Sequence, residues 1–166
     1  VASADVETTA EDASVVIDVL GNDSDPDASD TLSVVSASVQ SGLGSASVAT
    51  DGSAISYDPG AAYNYLAVGE TATVEILYEV SDGNGGSASA VATVTVTGTN
   101  DGPVASADVE TTAEDASVVI DVLGNDSDPD TSDTLSVVSA SVQSGLGSAS
   151  VATDGSSISY DPGGAY

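Results

Sequence analysis

Lysine, arginine and histidine are all absent from this sequence, while 27 Asp and Glu side chains give it a formal charge of −27. No carboxylate can therefore pair with a side-chain cation of its own chain. Two bare carboxylates about 4 Å apart repel by roughly 1 kcal/mol in bulk water and about 4 kcal/mol near a protein surface. Clustered acids must draw cations from solution or stay apart. The same absence excludes a basic surface for phosphate or nucleic acid. Cysteine is missing too, which excludes disulfides and thiolate metal sites. With no His, Cys or Lys there is no ordinary base or nucleophile, and paired carboxylates alone would need a cleft. A non-enzyme is expected. Methionine is absent, so Val1 is not read as a translation start, and the chain is expected to be an internal or processed fragment. No signal peptide and no apolar run of membrane-spanning length is present, so no membrane insertion is expected and any secretion signal is expected outside this stretch.

What remains is rich in small and β-branched residues. Hydrophobic residues make up 40% of the chain and aromatics only 4%. That is enough apolar surface for a folded core and argues against a disordered acidic tail. Ala, Ser and Gly replace bulky residues in many places, so the core is expected to be thin and to benefit from extra cross-links.

The chain repeats itself. Val1-Ala2-Ser3-Ala4-Asp5-Val6-Glu7 recurs as Val104-Ala105-Ser106-Ala107-Asp108-Val109-Glu110, an offset of 103 residues. From Val104 to Tyr166 the match is broken only at Ala28/Thr131, Ala54/Ser157 and Ala61/Gly164. A unit of about a hundred residues is a common size for one β-sandwich domain. We read residues 1–103 as a complete repeat with an exit linker at 99–103. Residues 104–166 are read as a truncated second copy that reaches only the counterpart of Tyr63 and lacks the last two strands.

Within one unit every signal is β. Val15, Ile17 and Val19 alternate with Val16, Asp18 and Leu20. In 31–40, Leu32 and Val34 lie on one face and Val35, Ala37 and Val39 on the other, a switch that suggests a bulge or a crossing between sheets. Val74, Ile76, Tyr78 and Val80 form one face of a strand opposite Glu75 and Glu79. Asp82-Gly83-Asn84-Gly85-Gly86 reads as a hairpin turn, followed by alternation to Thr97. Seven strands are expected, near 1–10, 13–20, 31–40, 45–50, 54–57, 72–81 and 87–98. This is the pattern of an all-β immunoglobulin-like or cadherin-like antiparallel β-sandwich. Up-and-down strands sort the acids into two poles. One pole gathers Asp23, Asp25, Asp27, Asp30, Asp51, Asp82 and Asn84. The other gathers Glu11, Asp12, Asp58, Glu70, Asn100 and Asp101. In an array, acidic loops are expected to meet at each junction.

The loop from Asn22 to Asp30 places Asp23, Asp25, Asp27 and Asp30 at close spacing, and it recurs as Asn125, Asp126, Asp128, Asp130 and Asp133. Carboxylates so spaced can converge on one hard cation. Ca²⁺ accepts six to eight oxygens in flexible geometry, whereas Mg²⁺ takes fewer protein ligands and Zn²⁺ wants His or Cys. The loop is not an EF-hand, since Ala28 and Val34 stand where the sixth-position Gly and twelfth-position Glu would be. The bland alternative is that Asp and Asn serve the turns for backbone reasons alone. With no basic residue to compensate the clusters, Ca²⁺ is the expected cofactor, with Asp12, Asp82 and Asn84 as further candidate ligands.

Several of these stretches together resemble a family. Ile17 to Asp27, Tyr63 to Glu70, Val80 to Ser87 and Val94 to Pro103 are similar, in order, to segments of bacterial cadherin-like and VCBS-type tandem repeats of giant RTX-type surface adhesins. The resemblance implies an extracellular calcium-stabilised extender that holds a binding tip away from the bacterial cell surface. It implies junction ligands at Glu11, Asn100 and Asp101 with Asp126, Asp128 and Asp130 of the following unit. The implied partners are neighbouring repeats of the same or identical chains. Many relatives contain Lys and Arg; their absence here strengthens the expectation of cation dependence. The rival reading is a subunit of a self-assembling extracellular filament or matrix, completed by strand exchange between neighbours. The two are distinguished by whether the second copy is completed by its own longer chain or by a neighbour.

Overall fold

The computed structural model describes residues 1–164, so Ala165 and Tyr166, with the counterpart of Tyr63, lie outside the described residues. The chain divides into two compact units, Val1–Asn100 with Asp130–Ser132, and Asp101–Pro129 with Asp133–Tyr166. Among the described residues no helix is long and apolar enough to cross a membrane.

The first unit holds seven strands: β1 (Asp5–Ala10), β2 (Val15–Ile17), β3 (Ser33–Ser41), β4 (Ser45–Val48), β5 (Ile55–Asp58), β6 (Thr71–Ser81) and β7 (Ser87–Thr97). They form two sheets, ordered β1-β7-β6-β3 and β2-β5-β4. β6 and β7 make the long central hairpin, paired without a break from Thr71↔Thr97 to Ser81↔Ser87. β1 runs parallel to β7, from Asp5↔Ala92 to Ala10↔Thr97, which sets the residue after β1 beside the end of β7.

The core follows from period-two patterning. Val74, Ile76, Tyr78 and Val80 of β6 and Ala92, Val94 and Val96 of β7 face inward and pack against Ile17, Val19, Ile55 and Tyr57 of the other sheet. Each fully buried Val, Ile or Leu side chain contributes roughly 1.5–3 kcal/mol. The expected switch of face in β3 is a bulge: register shifts fall between Val34 and Ser36 and between Val39 and Ser41. Its effect differs from the expectation at one residue. Val34 is buried, Ala37 and Val39 pack at the core margin, and Val35 is turned out to solvent. An extra residue in one strand is left unpaired, and at the two shifts those residues are Val35 and Gln40.

Two tyrosines close the turn between β3 and β4. Tyr57 Oη donates to Leu43 O at 2.7 Å, and Leu43 N–H donates to Tyr63 Oη at 2.6 Å. Gly44 has φ +89°, and a Cβ there would lie 2.6 Å from Asp58 O and 2.7 Å from Tyr57 Oη, so both the conformation and the close approach require glycine.

The second unit contains β8 (Val118–Ile120), β9 (Ser148–Val151) and β10 (Ile158–Asp161), in the order β8-β10-β9. This reproduces the β2-β5-β4 sheet. The counterparts of β1 and β3, residues 108–113 and 136–144, form no strand. The reason is pairing: β1 is hydrogen-bonded to β7 and β3 to β6, and the described residues of the second unit hold no counterpart of either. Local loop geometry does repeat. Ser106 N–H donates to Asp126 Oδ1 at 2.7 Å, as Ser3 N–H does to Asp23 Oδ1 at 2.8 Å.

Candidate metal centre

Glu11 is the residue that β1 delivers to the end of β7. Its N–H donates to Thr97 O at 3.0 Å, extending the ladder by one bond. Its side chain is fully buried, at 0% exposure. Oε1 accepts from Thr99 N–H at 2.8 Å and lies 3.1 Å from Thr99 Oγ1. That hydroxyl also donates to Asp12 Oδ2 at 2.8 Å. A hydroxyl carries one proton, so the closer Asp12 oxygen has the stronger claim on it. Glu11 Oε2 is buried and has no hydrogen-bond partner. An ionised carboxylate taken out of water costs several kcal/mol unless charge or hydrogen bonds replace the lost solvent. No Lys, Arg or His exists in the chain to do so.

Asp130 belongs to the same unit and is also fully buried. It is positioned by its neighbour Thr131, whose N–H and Oγ1 both donate to Tyr65 O at 3.2 Å. Carboxylate oxygens of Glu11 and Asp130 come within 4.8 Å of one another. Two buried carboxylates at this spacing, with an orphaned oxygen on Glu11, form a hard, all-oxygen donor set of the kind Ca²⁺ prefers.

A second cluster lies in the loop after β2. Asp25, Asp27 and Asp30 each present an oxygen within 4.8 Å of the others. It is more open than the first, and part of it is ordinary turn chemistry: Asp27 N–H donates to Asp25 Oδ1 at 2.9 Å.

The remaining predicted residues are placed as follows. Asp23 lies outside both clusters, with Oδ1 on Ser3 N–H and Oδ2 buried without a hydrogen-bond partner. Asn22 Nδ2 donates to Ala4 O at 3.1 Å. Asp82 accepts from Asn84 N–H at 2.7 Å and from Gly86 N–H at 2.9 Å, which closes the β6–β7 turn. The Asn84 N–H, followed by those of Gly86 and Gly85, holds its carboxyl below the usual carboxylate range. Asn84 and Asn100 are exposed and Asp101 is half-buried. In the second unit Asn125 Nδ2 donates to Ala107 O at 3.3 Å, Asp126 receives Ser106 N–H, Asp128 is half-buried and Asp133 is exposed.

Sequence reasoning missed Asp5. Tyr78 Oη lies 2.8 Å from its Oδ2, and burial, opposed by that bond and reinforced by Asp23 and Asp18, pushes its carboxyl up. The only signal was Asp5's alternation with Val6 at the start of β1, which does not report burial.

Among curated proteins, none matches this sequence. The family described as bacterial Ig domain matches residues 1–97 and again 100–166, in keeping with the two-sheet sandwich and the 103-residue repeat. The chain belongs to the bacterial Ig domain family.

Proposed function

We propose that this chain is a calcium-stabilised extender segment of a bacterial extracellular surface protein. The observation that supports this best is the buried pair Glu11 and Asp130, with Glu11 Oε2 lacking any hydrogen-bond partner in a chain without side-chain cations. In this reading Glu11 and Asp130 hold the ion, and Asn100, which follows shortly after the end of the first sandwich, supplies a further oxygen. Asp25, Asp27 and Asp30 bind a second, weaker ion at the open loop. Sites of this kind on extracellular modules work at about 10⁻⁴–10⁻³ M Ca²⁺. The resemblance to cadherin-like and VCBS-type adhesin repeats points the same way.

The extender role rests on repetition. Two nearly identical copies suit a spacer better than a recognition site, because duplicating a spacer adds length. In the first unit, the small cleft of about 110 Å³ beside Asp25 and Asp82 falls well below the roughly 300–1,000 Å³ of organic-ligand sites. Isothermal titration of the chain with CaCl₂ tests the proposal. Saturable binding in the submillimolar to millimolar range is expected, with the tightest event lost in Glu11→Gln. Titration heats identical for the parent and Glu11→Gln would refute the assignment of that site.

A further inference from the structure

Of the positions that differ between the two copies, Ala28/Thr131 falls inside the acidic loop, next to Asp27 in one copy and Asp130 in the other. Thr131 lies with Asp130 in the first compact unit. Its N–H and its Oγ1 both donate to Tyr65 O, each at 3.2 Å. A carbonyl oxygen has two lone pairs and can accept both. Alanine at this place keeps the N–H bond and forfeits the hydroxyl bond. The acceptor is held by the same frame that holds Glu11. Tyr65 sits between two buried residues, Tyr63 and Leu66, and Leu66 N–H donates to Tyr63 O at 2.9 Å. Further along, Glu70 N–H donates to Ala67 O at 2.9 Å and Gly98 N–H donates to Glu70 O at 2.9 Å, which ties this segment to the end of β7. Glu11 N–H donates to Thr97 O at 3.0 Å, on the neighbouring residue of the same strand end. Tyr65 O is therefore a fixed point relative to Glu11.

We infer that Thr131 is a positioning residue of the Glu11–Asp130 calcium site, and that Thr or Ala at this place in the loop grades the ion affinity from repeat to repeat; the inference rests on the calcium reading of that pair. Thr131 is not itself a ligand. It holds the backbone that carries Asp130 before the ion arrives, against the repulsion between the Asp130 and Glu11 carboxylates. A cation then relieves a repulsion that is already in place. With one anchor fewer, the loop swings away from Glu11 when no ion is bound and must be ordered on binding, which subtracts from affinity. The net worth of one such hydroxyl bond corresponds to about two- to tenfold in dissociation constant.

Three variants of the whole chain separate the hydroxyl from the fold. Thr131→Ala makes the loop from Asn125 to Asp133 identical to that from Asn22 to Asp30. Thr131→Val keeps the branched shape without the hydroxyl, and Thr131→Ser keeps the hydroxyl. In a CaCl₂ titration the event that Glu11→Gln abolishes should be about two- to tenfold weaker in Thr131→Ala and Thr131→Val, and within about twofold of the parent in Thr131→Ser. Amide exchange gives a second readout, since valine keeps the N–H. The protection of that amide in chelator should be lower in Thr131→Val than in the parent, and the two should become equal in saturating calcium. Titration of Thr131→Val indistinguishable from the parent, Thr131→Ser as weak as Thr131→Ala, or a loss of protection that persists in saturating calcium would overturn the inference and leave the calcium site standing. A parent chain with no Glu11-dependent event would overturn both.

Discussion

Glu11 shows how one side chain can be fixed by its neighbours and still be incomplete. The parallel pairing of β1 with β7 places it, and Thr99 satisfies one of its oxygens. The other is buried with no donor. Glu11→Gln keeps the acceptor for Thr99 and removes the charge. Without calcium the variant should therefore melt above the parent, because an unpaired buried charge is gone; with calcium it should melt below the parent, because a ligand is gone. Differential scanning calorimetry in chelator and in calcium checks the crossover. Asp5 makes a second residue-scale case. Its folded-state pKa is raised, chiefly by burial, so its contribution to stability is complete below the unfolded value and is lost as pH rises through the folded one. Asp5→Asn should accordingly gain stability relative to the parent as pH rises from about 4 to about 7. Urea unfolding at the two pH values reads this directly; an unchanged difference would contradict the burial argument.

The strands were readable because each carries its own signal. Period-two alternation located β6 and β7 to within a residue, and Asp-Gly and Asn-Gly clusters located the turns between them. The switch of face in β3 was visible as a conflict in its alternation, but which residue the bulge would expel was not, since that depends on how β3 registers against β6. The acidic loops were legible as clusters. Their sorting into a buried site and an open one was not, because burial of Glu11 arises from pairing between segments nearly ninety residues apart. Nor does a spacing of alternate Asp residues distinguish Asp82, engaged in its own turn, from Asp25, which meets two other carboxylates. Close packing at the end of β7 gives a test at this scale. A Cβ on Gly98 would lie 2.3 Å from the backbone oxygens of both Leu66 and Ala67. Gly98→Ala should destabilise the first unit by about 1–3 kcal/mol, seen as a lower urea midpoint. A neutral effect would mean the 66–67 turn yields easily.

At the scale of the whole molecule, a charge of −27 with no positive side chain sets a repulsion that every fold of this chain must overcome. Screening by any salt relieves part of it, so general ionic strength should stabilise the protein modestly. A specific site does more, and only for the ion that fits. A ligand at a hundred times its dissociation constant stabilises the folded state by about 2.7 kcal/mol, which for a domain of this size corresponds to roughly 10 °C or more in Tm. The comparison that isolates this is a melt of the chain in CaCl₂, in MgCl₂ and in NaCl with chelator, all at matched ionic strength. The account predicts a Tm in calcium about 10 °C above the chelated sample, with magnesium well short of it; coincident melts in calcium and chelator, or a magnesium melt equal to the calcium one, would contradict it.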